Sequence, residues 1–159
     1  MTHRGLLLTI TEPPAHMEEE LNAWYDDEHL AERLAIPGFL SAQRWVADVA
    51  PGQGKYLATY ELDSPAVLSS AAYLARYNNQ TSWSRRCLGQ LVVFKRWLCE
   101  QVEPGDADLH PATRALLLNQ TIPNSLQLRR FRAEGGEQIT LCELAAPAGK
   151  GLVYRRYQP

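Results

Sequence analysis

The hydrophobic and polar positions of the first hundred residues predict alternating strands and helices. Residues 5–11 form a short apolar run with β-branched side chains, and the two prolines that follow it suit the start of a helix. Apolar residues then recur at three- and four-residue spacing over about 15–35, until a Pro-Gly pair ends the pattern. This stretch therefore reads as a strand followed by an amphipathic helix.

The next segments extend the pattern to a βαββαβ order. Residues 39–49 and 55–62 read as two strands joined by a loop rich in glycine and proline. A second helix begins at Ser64-Pro65 and runs to about residue 77, and residues 90–101 read as a fourth strand. This order within about a hundred residues predicts a ferredoxin-like α+β unit.

The second part of the chain echoes the first. Four segments repeat earlier ones in the same order, without room for helices between them: 115–123 echoes 5–13, 128–131 echoes 42–45, 143–147 echoes 61–65, and 152–157 echoes 92–97. We therefore predict a ferredoxin-like α/β-barrel domain at 1–103. Residues 104–159 are predicted to form a degenerate, helix-poor second repeat of β-strands, with the whole packing as a dimeric α/β-barrel.

The predicted sheet has one face under helices and one face that needs a partner. Strands of the second repeat could cover that face within one chain, or two chains could pair, and the sequence leaves both open. The second repeat is rich in arginine, which fits either a solvated outer face or a face covered in a homodimer; the arginines are Arg129, Arg130, Arg132, Arg155 and Arg156.

Composition narrows the function classes. The chain has 159 residues, 45% of them hydrophobic, and a formal net charge of −2, so neither nucleic acid nor an anionic membrane surface is expected as a partner. No apolar run approaches the length of a membrane span. The three cysteines match no zinc or redox spacing, which favours reduced thiols in a soluble cytoplasmic protein.

The first helix carries the candidate catalytic residues. At about 100° per residue, Asn22, Asp26, His29 and Arg33 fall on one stripe, with Tyr25 at its border. A histidine with a pKa near neutrality suits acid–base catalysis, and one turn earlier Tyr25 or Asp26 would orient it. The alternative is a solvated helix face with ion pairs between neighbouring turns.

This helix also resembles a known family. The Trp24-Tyr25 pair one turn before His29, followed by Pro37-Gly38, resembles the EthD-like branch of the dimeric α/β-barrel superfamily. A second proline, usual after the histidine in that branch, is absent here. The resemblance implies a pocket lined by the first helix and one sheet face, and closed by aromatic side chains. It also implies reactions such as cyclisation, decarboxylation, isomerisation or cofactor-free oxygenation.

Further residues are predicted to bind substrate in that pocket. Most of them lie in the first helix or in the predicted strands. For any single aromatic residue, packing in the core is the more common role. The candidates are Trp24, Glu28, Arg44, Trp45, Tyr60, Trp83, Phe94 and Arg96. Glu28 falls within the apolar stripe of the helix, and either arginine would pair with a substrate carboxylate.

The functional prediction is a small cofactor-independent enzyme of the lyase or isomerase type. It would act on an aromatic or polyketide-like carbonyl compound by acid–base catalysis, as a homodimer. Glycine-rich phosphate loops, a nucleophile elbow and metal-ligand histidine spacings are absent, so no cofactor or metal is predicted. Two alternatives stay open: a cofactor-free monooxygenase of the same superfamily, and a non-catalytic small-molecule binding or stability module.

Overall fold

The computed structural model describes residues 3–148 and 152–159. Eight strands account for most of the regular structure: β1 (Gly5–Glu12), β2 (Phe39–Val46), β3 (Tyr56–Leu62), β4 (Val93–Glu103), β5 (Ala115–Leu118), β6 (Gln127–Ala133), β7 (Gln138–Leu144) and β8 (Val153–Arg156). All described helices lie between β1 and β2 or between β3 and β4. The first group is the 3-10 turn Ala15–Met17, α1 (Glu18–Trp24), the π turn Tyr25–His29 and α2 (Leu30–Leu34). The second group is the 3-10 turn Pro65–Ser69, α3 (Ala71–Asn78) and α4 (Ser82–Gly89).

The strands close into one antiparallel barrel in the order β1-β3-β2-β8-β5-β7-β6-β4. The prediction of a ferredoxin-like α+β unit that packs as a dimeric α/β-barrel is therefore wrong. One chain closes the barrel by itself, because β8 pairs with the edge of β2 and β6 pairs with the edge of β4. The α-helices are short, with five to eight residues each.

The two parts of the chain contribute four strands each. Pairing follows the order β4-β1-β3-β2 in the first part and the corresponding order β8-β5-β7-β6 in the second. Among residues 104–148 and 152–159 the structure contains no helix, so the helices cover only the first four strands. A division into domains at residue 103 stays a prediction.

Successive side chains of a strand point alternately into the barrel and towards its outer face. In β1, Leu6, Leu8 and Ile10 point into the interior core, where they meet Trp45 and Phe131. The intervening Leu7 belongs to a second core between the barrel and the helices. An eight-stranded barrel has an interior that side chains can fill, and here they do.

One end of the barrel interior holds a buried ionic network. The guanidinium of Arg129 donates to Glu61 at 2.7 and 3.1 Å and to Glu143 at 2.6 Å. Thr113 and Gln127 also donate to the Glu143 carboxylate. Neither placement left open for the arginines, a solvated outer face or an outer face covered in a homodimer, applies to Arg129. Its side chain is fully buried, and two carboxylates from different strands compensate its charge.

The other arginines of the second part lie nearer to solvent. Arg130, Arg132 and Arg155 are exposed and pair with carboxylates at the surface. Arg156 is half-buried and donates to the side chain of Gln43. None of the described helices is both long and apolar enough to cross a bilayer.

Candidate functional site

A cavity of about 410 Å³ lies outside the barrel, between its outer face and the helices. Strands β1, β3 and β4 form its floor, and the two helical segments form its walls. The side chains and backbone that line it are Leu7, Thr9, Thr11, Tyr25, His29, Arg33, Tyr60, Tyr73, Tyr77, Gln80, Arg85, Leu88, Gly89, Phe94 and Arg96. Its volume suits a small organic molecule.

The predicted acid–base residue lies in a π turn beside this cavity. Between α1 and α2, the hydrogen-bond pattern widens over Tyr25–His29. One extra residue in the turn rotates the following residues relative to a regular helix, and such turns are frequent at functional sites. Tyr25, His29 and Arg33 all line the cavity, and the rings of Tyr25 and His29 meet edge-to-face at 5.2 Å.

The same turn separates two residues that were predicted to lie on one stripe. Asp26 is exposed and lines a different cavity, on the other side of the helix from His29. The prediction assumed 100° per residue, which the π turn does not follow. Asp26 therefore does not orient His29, and this role falls to the neighbouring rings.

Aromatic rings hold the His29 imidazole in place. The indole of Trp24 stacks on it with 4.3 Å between ring centroids, and Tyr60 meets it edge-on at 6.1 Å. Burial and the positive charges of Arg33 and Arg44 lower the pKa of His29 to about 3. The imidazole is therefore neutral near pH 7, with a free nitrogen lone pair that can accept a proton or a hydrogen bond.

The cavity carries positive charge that no carboxylate balances. Arg33, Arg85 and Arg96 line it, and no aspartate or glutamate does so. Within the described parts of the chain, none of these three guanidinium groups lies within 4.0 Å of a carboxylate oxygen. The closest partners of Arg96 are aromatic: it donates to the Tyr73 hydroxyl and lies over the Tyr77 ring at 5.2 Å.

Neutral polar groups complete the lining. The Thr9 hydroxyl is buried at the cavity floor and has no hydrogen-bond partner in the protein. Burial, reinforced by Tyr25, raises the pKa of Tyr60 well above its usual value, so its hydroxyl stays protonated. Two hydroxyl groups are thus available to hydrogen-bond a ligand in a largely apolar space.

Three of the predicted substrate-binding residues line this cavity: Tyr60, Phe94 and Arg96. Phe94 is 47% exposed, at the mouth, whereas Tyr60 is buried. This shared location fits the predicted pocket, and a role in substrate binding stays a prediction.

The other predicted residues lie elsewhere. Trp24 is fully buried and donates to the Ser84 hydroxyl, while Glu28 accepts from the Thr81 hydroxyl, so both join the first helical segment to the start of α4. Trp45 points into the barrel and donates to the Thr59 hydroxyl. Trp83 packs against the core between barrel and helices. Arg44 does not line this cavity, and its guanidinium lies over the Tyr25 ring at 4.1 Å.

Several lining residues were not predicted. Tyr73 and Tyr77 are four residues apart on α3 and therefore share one helix face, a spacing that is visible in the sequence. Leu7, Thr9 and Thr11 are alternate residues of β1 and point away from the barrel interior. Because neighbouring strand residues point to opposite faces, the residues that face inward also identify these outward ones. No sequence pattern indicates that Arg85 lines the cavity, because its position there depends on how α4 packs.

No group of three or more potential metal-ligating side chains occurs among residues 3–148 and 152–159. No protein-family model matches the chain, and no curated protein sequence is significantly similar to it.

Proposed function

We propose that the cavity beside His29 binds an anionic aromatic or polyketide-like carbonyl compound. The observation that carries this proposal is the set of three arginines in an aromatic cavity without a lining carboxylate. An unpaired cationic group in a low-dielectric site attracts an anion strongly, and guanidinium groups suit carboxylates in particular. The rings of Tyr60, Tyr73 and Phe94 supply flat apolar surface for the remainder of the ligand.

We further propose that the protein is a small cofactor-independent enzyme of the lyase or isomerase type. His29 would accept a proton from a carbon next to the substrate carbonyl, which leaves an enolate. Arg33 and the protonated Tyr60 hydroxyl would stabilise the negative oxygen. Return of the proton to another carbon completes an isomerisation. In a cyclisation the carbanion attacks a second carbonyl, and the alkoxide that forms takes the proton back from His29.

Binding of an anion supports this role for His29. Burial, with the charges of Arg33 and Arg44, holds the pKa of His29 near 3 and makes the imidazole a weak base. A substrate carboxylate beside Arg33 would offset that charge and raise the affinity of the imidazole for a proton. Proton transfer would then be favoured only with the anionic substrate in place.

The low pKa of His29 also favours a second candidate, a non-catalytic module that binds the same class of compound. A weak base with fixed aromatic neighbours suits a hydrogen-bond acceptor in a binding site. Both candidates predict a preference for anions, and only the enzyme predicts proton transfer. Assembly as a homodimer and a cytoplasmic location are proposals that rest on the sequence.

Binding is tested with 2-hydroxybenzoate and its uncharged analogue 2-hydroxybenzamide by calorimetry. We expect the acid to bind at least tenfold more tightly, and Arg33→Met to abolish that preference because one charged hydrogen bond contributes about 1.5–3 kcal/mol. Equal affinity for acid and amide would refute an anion site.

Proton transfer is tested with 3-oxo-3-phenylpropanoate in D2O, by following deuterium exchange next to the ketone. His29→Ala should lower the enzymatic rate by about 10²–10⁴-fold, whereas His16→Ala, at an exposed position outside the cavity, should leave it unchanged. Tight binding without any rate above the uncatalysed background would favour the binding module. A wild-type rate in His29→Ala would exclude His29 as the base.

A further inference from the structure

A second cavity, of about 430 Å³, lies on the other side of the first helical segment. It is formed where β2 meets the end of the chain, and Asp26 and Leu30 bound it from the helix side. Arg44, Arg156 and Tyr157 form the opposite side. None of these residues lines the cavity beside His29, so the two cavities are separate.

Arg44 is the unusual group in this cavity. The residue is 2% exposed, yet all three guanidinium nitrogens lack a hydrogen-bond partner in the protein. No carboxylate oxygen in the described residues lies within 4.0 Å of it. Its neighbours are the rings of Tyr25, Tyr56 and Tyr157, at 4.1, 4.8 and 4.4 Å from the guanidinium carbon.

Aromatic rings offset only part of the cost of burying this charge. A cation over an aromatic face gains electrostatic attraction, but the ring offers no acceptor in line with the N–H bonds. Buried arginines normally have their five donors satisfied by carboxylates, carbonyls or other acceptors. Arg44 therefore holds unsatisfied donors at the wall of this cavity. Its three nitrogens are covered by the surrounding rings, so a ligand must displace one of these rings to reach them.

We propose that the Arg44 cavity is a second ligand site, which binds a small carboxylate and communicates with the His29 cavity through Tyr25. The charges of the lining side chains favour a monoanion, since Arg44 and Arg156 are positive and Asp26 is negative. A carboxylate also matches the planar fork of a guanidinium with two parallel hydrogen bonds.

The contact with Tyr25 connects the two sites. Arg44 lies over this ring at 4.1 Å, and the same ring contacts the His29 imidazole edge-to-face at 5.2 Å. The positive charge of Arg44 is one of the causes that lower the pKa of His29. A carboxylate bound to Arg44 would offset this charge, so occupancy of the second site raises the proton affinity of His29. The binding itself does not depend on the function proposed for the first cavity.

The site is tested by titrating the full chain with acetate and, separately, with inorganic phosphate. The Nε–Hε resonance of Arg44 and the imidazole resonances of His29 are followed by NMR. We expect acetate to shift the Arg44 signal saturably and to raise the pKa of His29. Saturation by phosphate alone would overturn the assignment to a carboxylate, and no saturable shift with either anion would overturn the site.

Two variants locate the effect. Arg44→Met keeps the apolar stem and removes the charge, so acetate should no longer raise the pKa of His29. Arg155→Met, at an exposed position of β8 that lines neither of these two cavities, is the matched control and should keep the acetate response. An unchanged acetate response in Arg44→Met would refute the proposal. If Arg44→Met does not fold, Arg156→Met on the same cavity should weaken acetate binding at least threefold, and unchanged binding there would refute it.

Discussion

Replacement of Arg129 by methionine should destabilise the barrel strongly. The wild-type guanidinium makes three hydrogen bonds of 2.6–3.1 Å to two carboxylates, and the side chain is fully buried. Without it, Glu61 and Glu143 face each other in the barrel interior with no counter-charge. Removal of one partner from a buried ionic network costs about 3–5 kcal/mol, because the remaining charge stays buried.

The loss is measured by urea and thermal unfolding. For a chain of this size, 3–5 kcal/mol corresponds to a fall of about 6–20 °C in Tm. The matched control is Arg130→Met on the same strand, where the pair with Glu103 is exposed and should change stability by at most about 1 kcal/mol.

A third variant tests the physical reason. If uncompensated charge causes the loss, Arg129→Met combined with Glu61→Gln and Glu143→Gln should be more stable than Arg129→Met alone. A single variant that loses less than about 1 kcal/mol would show that the network contributes little. A triple variant less stable than the single one would show that packing, rather than charge, explains the loss.

Two further predictions concern the site and the fold. The folded-state pKa of His29 is about 3, below its unfolded value of about 6.5, so the unfolding free energy should decrease as pH falls from 6.5 towards 3. His29→Gln should remove this part of the pH dependence. An imidazole that titrates near pH 6.5 by NMR in the folded protein would contradict this prediction. Gly5→Ala should cost about 1–3 kcal/mol, because a Cβ there would lie 2.8 Å from the backbone of Ser64 and Pro65, whereas Gly89→Ala meets no atom within 4 Å and should be nearly neutral in the same unfolding assay.

The sequence predicts the local helices and strands well, but it does not predict that the strands close into a barrel. The apolar run at residues 5–11 and the helical spacing at about 15–35 correspond to observed elements, since both depend on neighbouring residues. The strand pairing that closes the barrel depends on residues far apart in the sequence: Trp45 opposes Arg156 in the short contact between β2 and β8. No local pattern encodes that contact, so the predicted architecture had the strands but not the closed barrel.

The same limit explains the errors at individual residues. Arg129 is charged and therefore reads as exposed, but its burial depends on Glu61, which lies 68 residues earlier. Asp26 was placed beside His29 by regular helical geometry, and the π turn, for which the sequence offers no local signal, moves it to another cavity. His29 and Tyr25 were found because their aromatic and titratable side chains stand out within one helix.

The closed barrel also determines where a ligand can bind. Its interior is filled by apolar side chains at one end and by the Arg129 network at the other, which leaves the outer face. In the described residues only the first four strands carry helices, so an enclosed space between sheet and helix forms on that side alone. Both proposed cavities lie against the first helical segment, and Tyr25 contacts the key residue of each. Tyr25 is therefore the residue that connects the two sites.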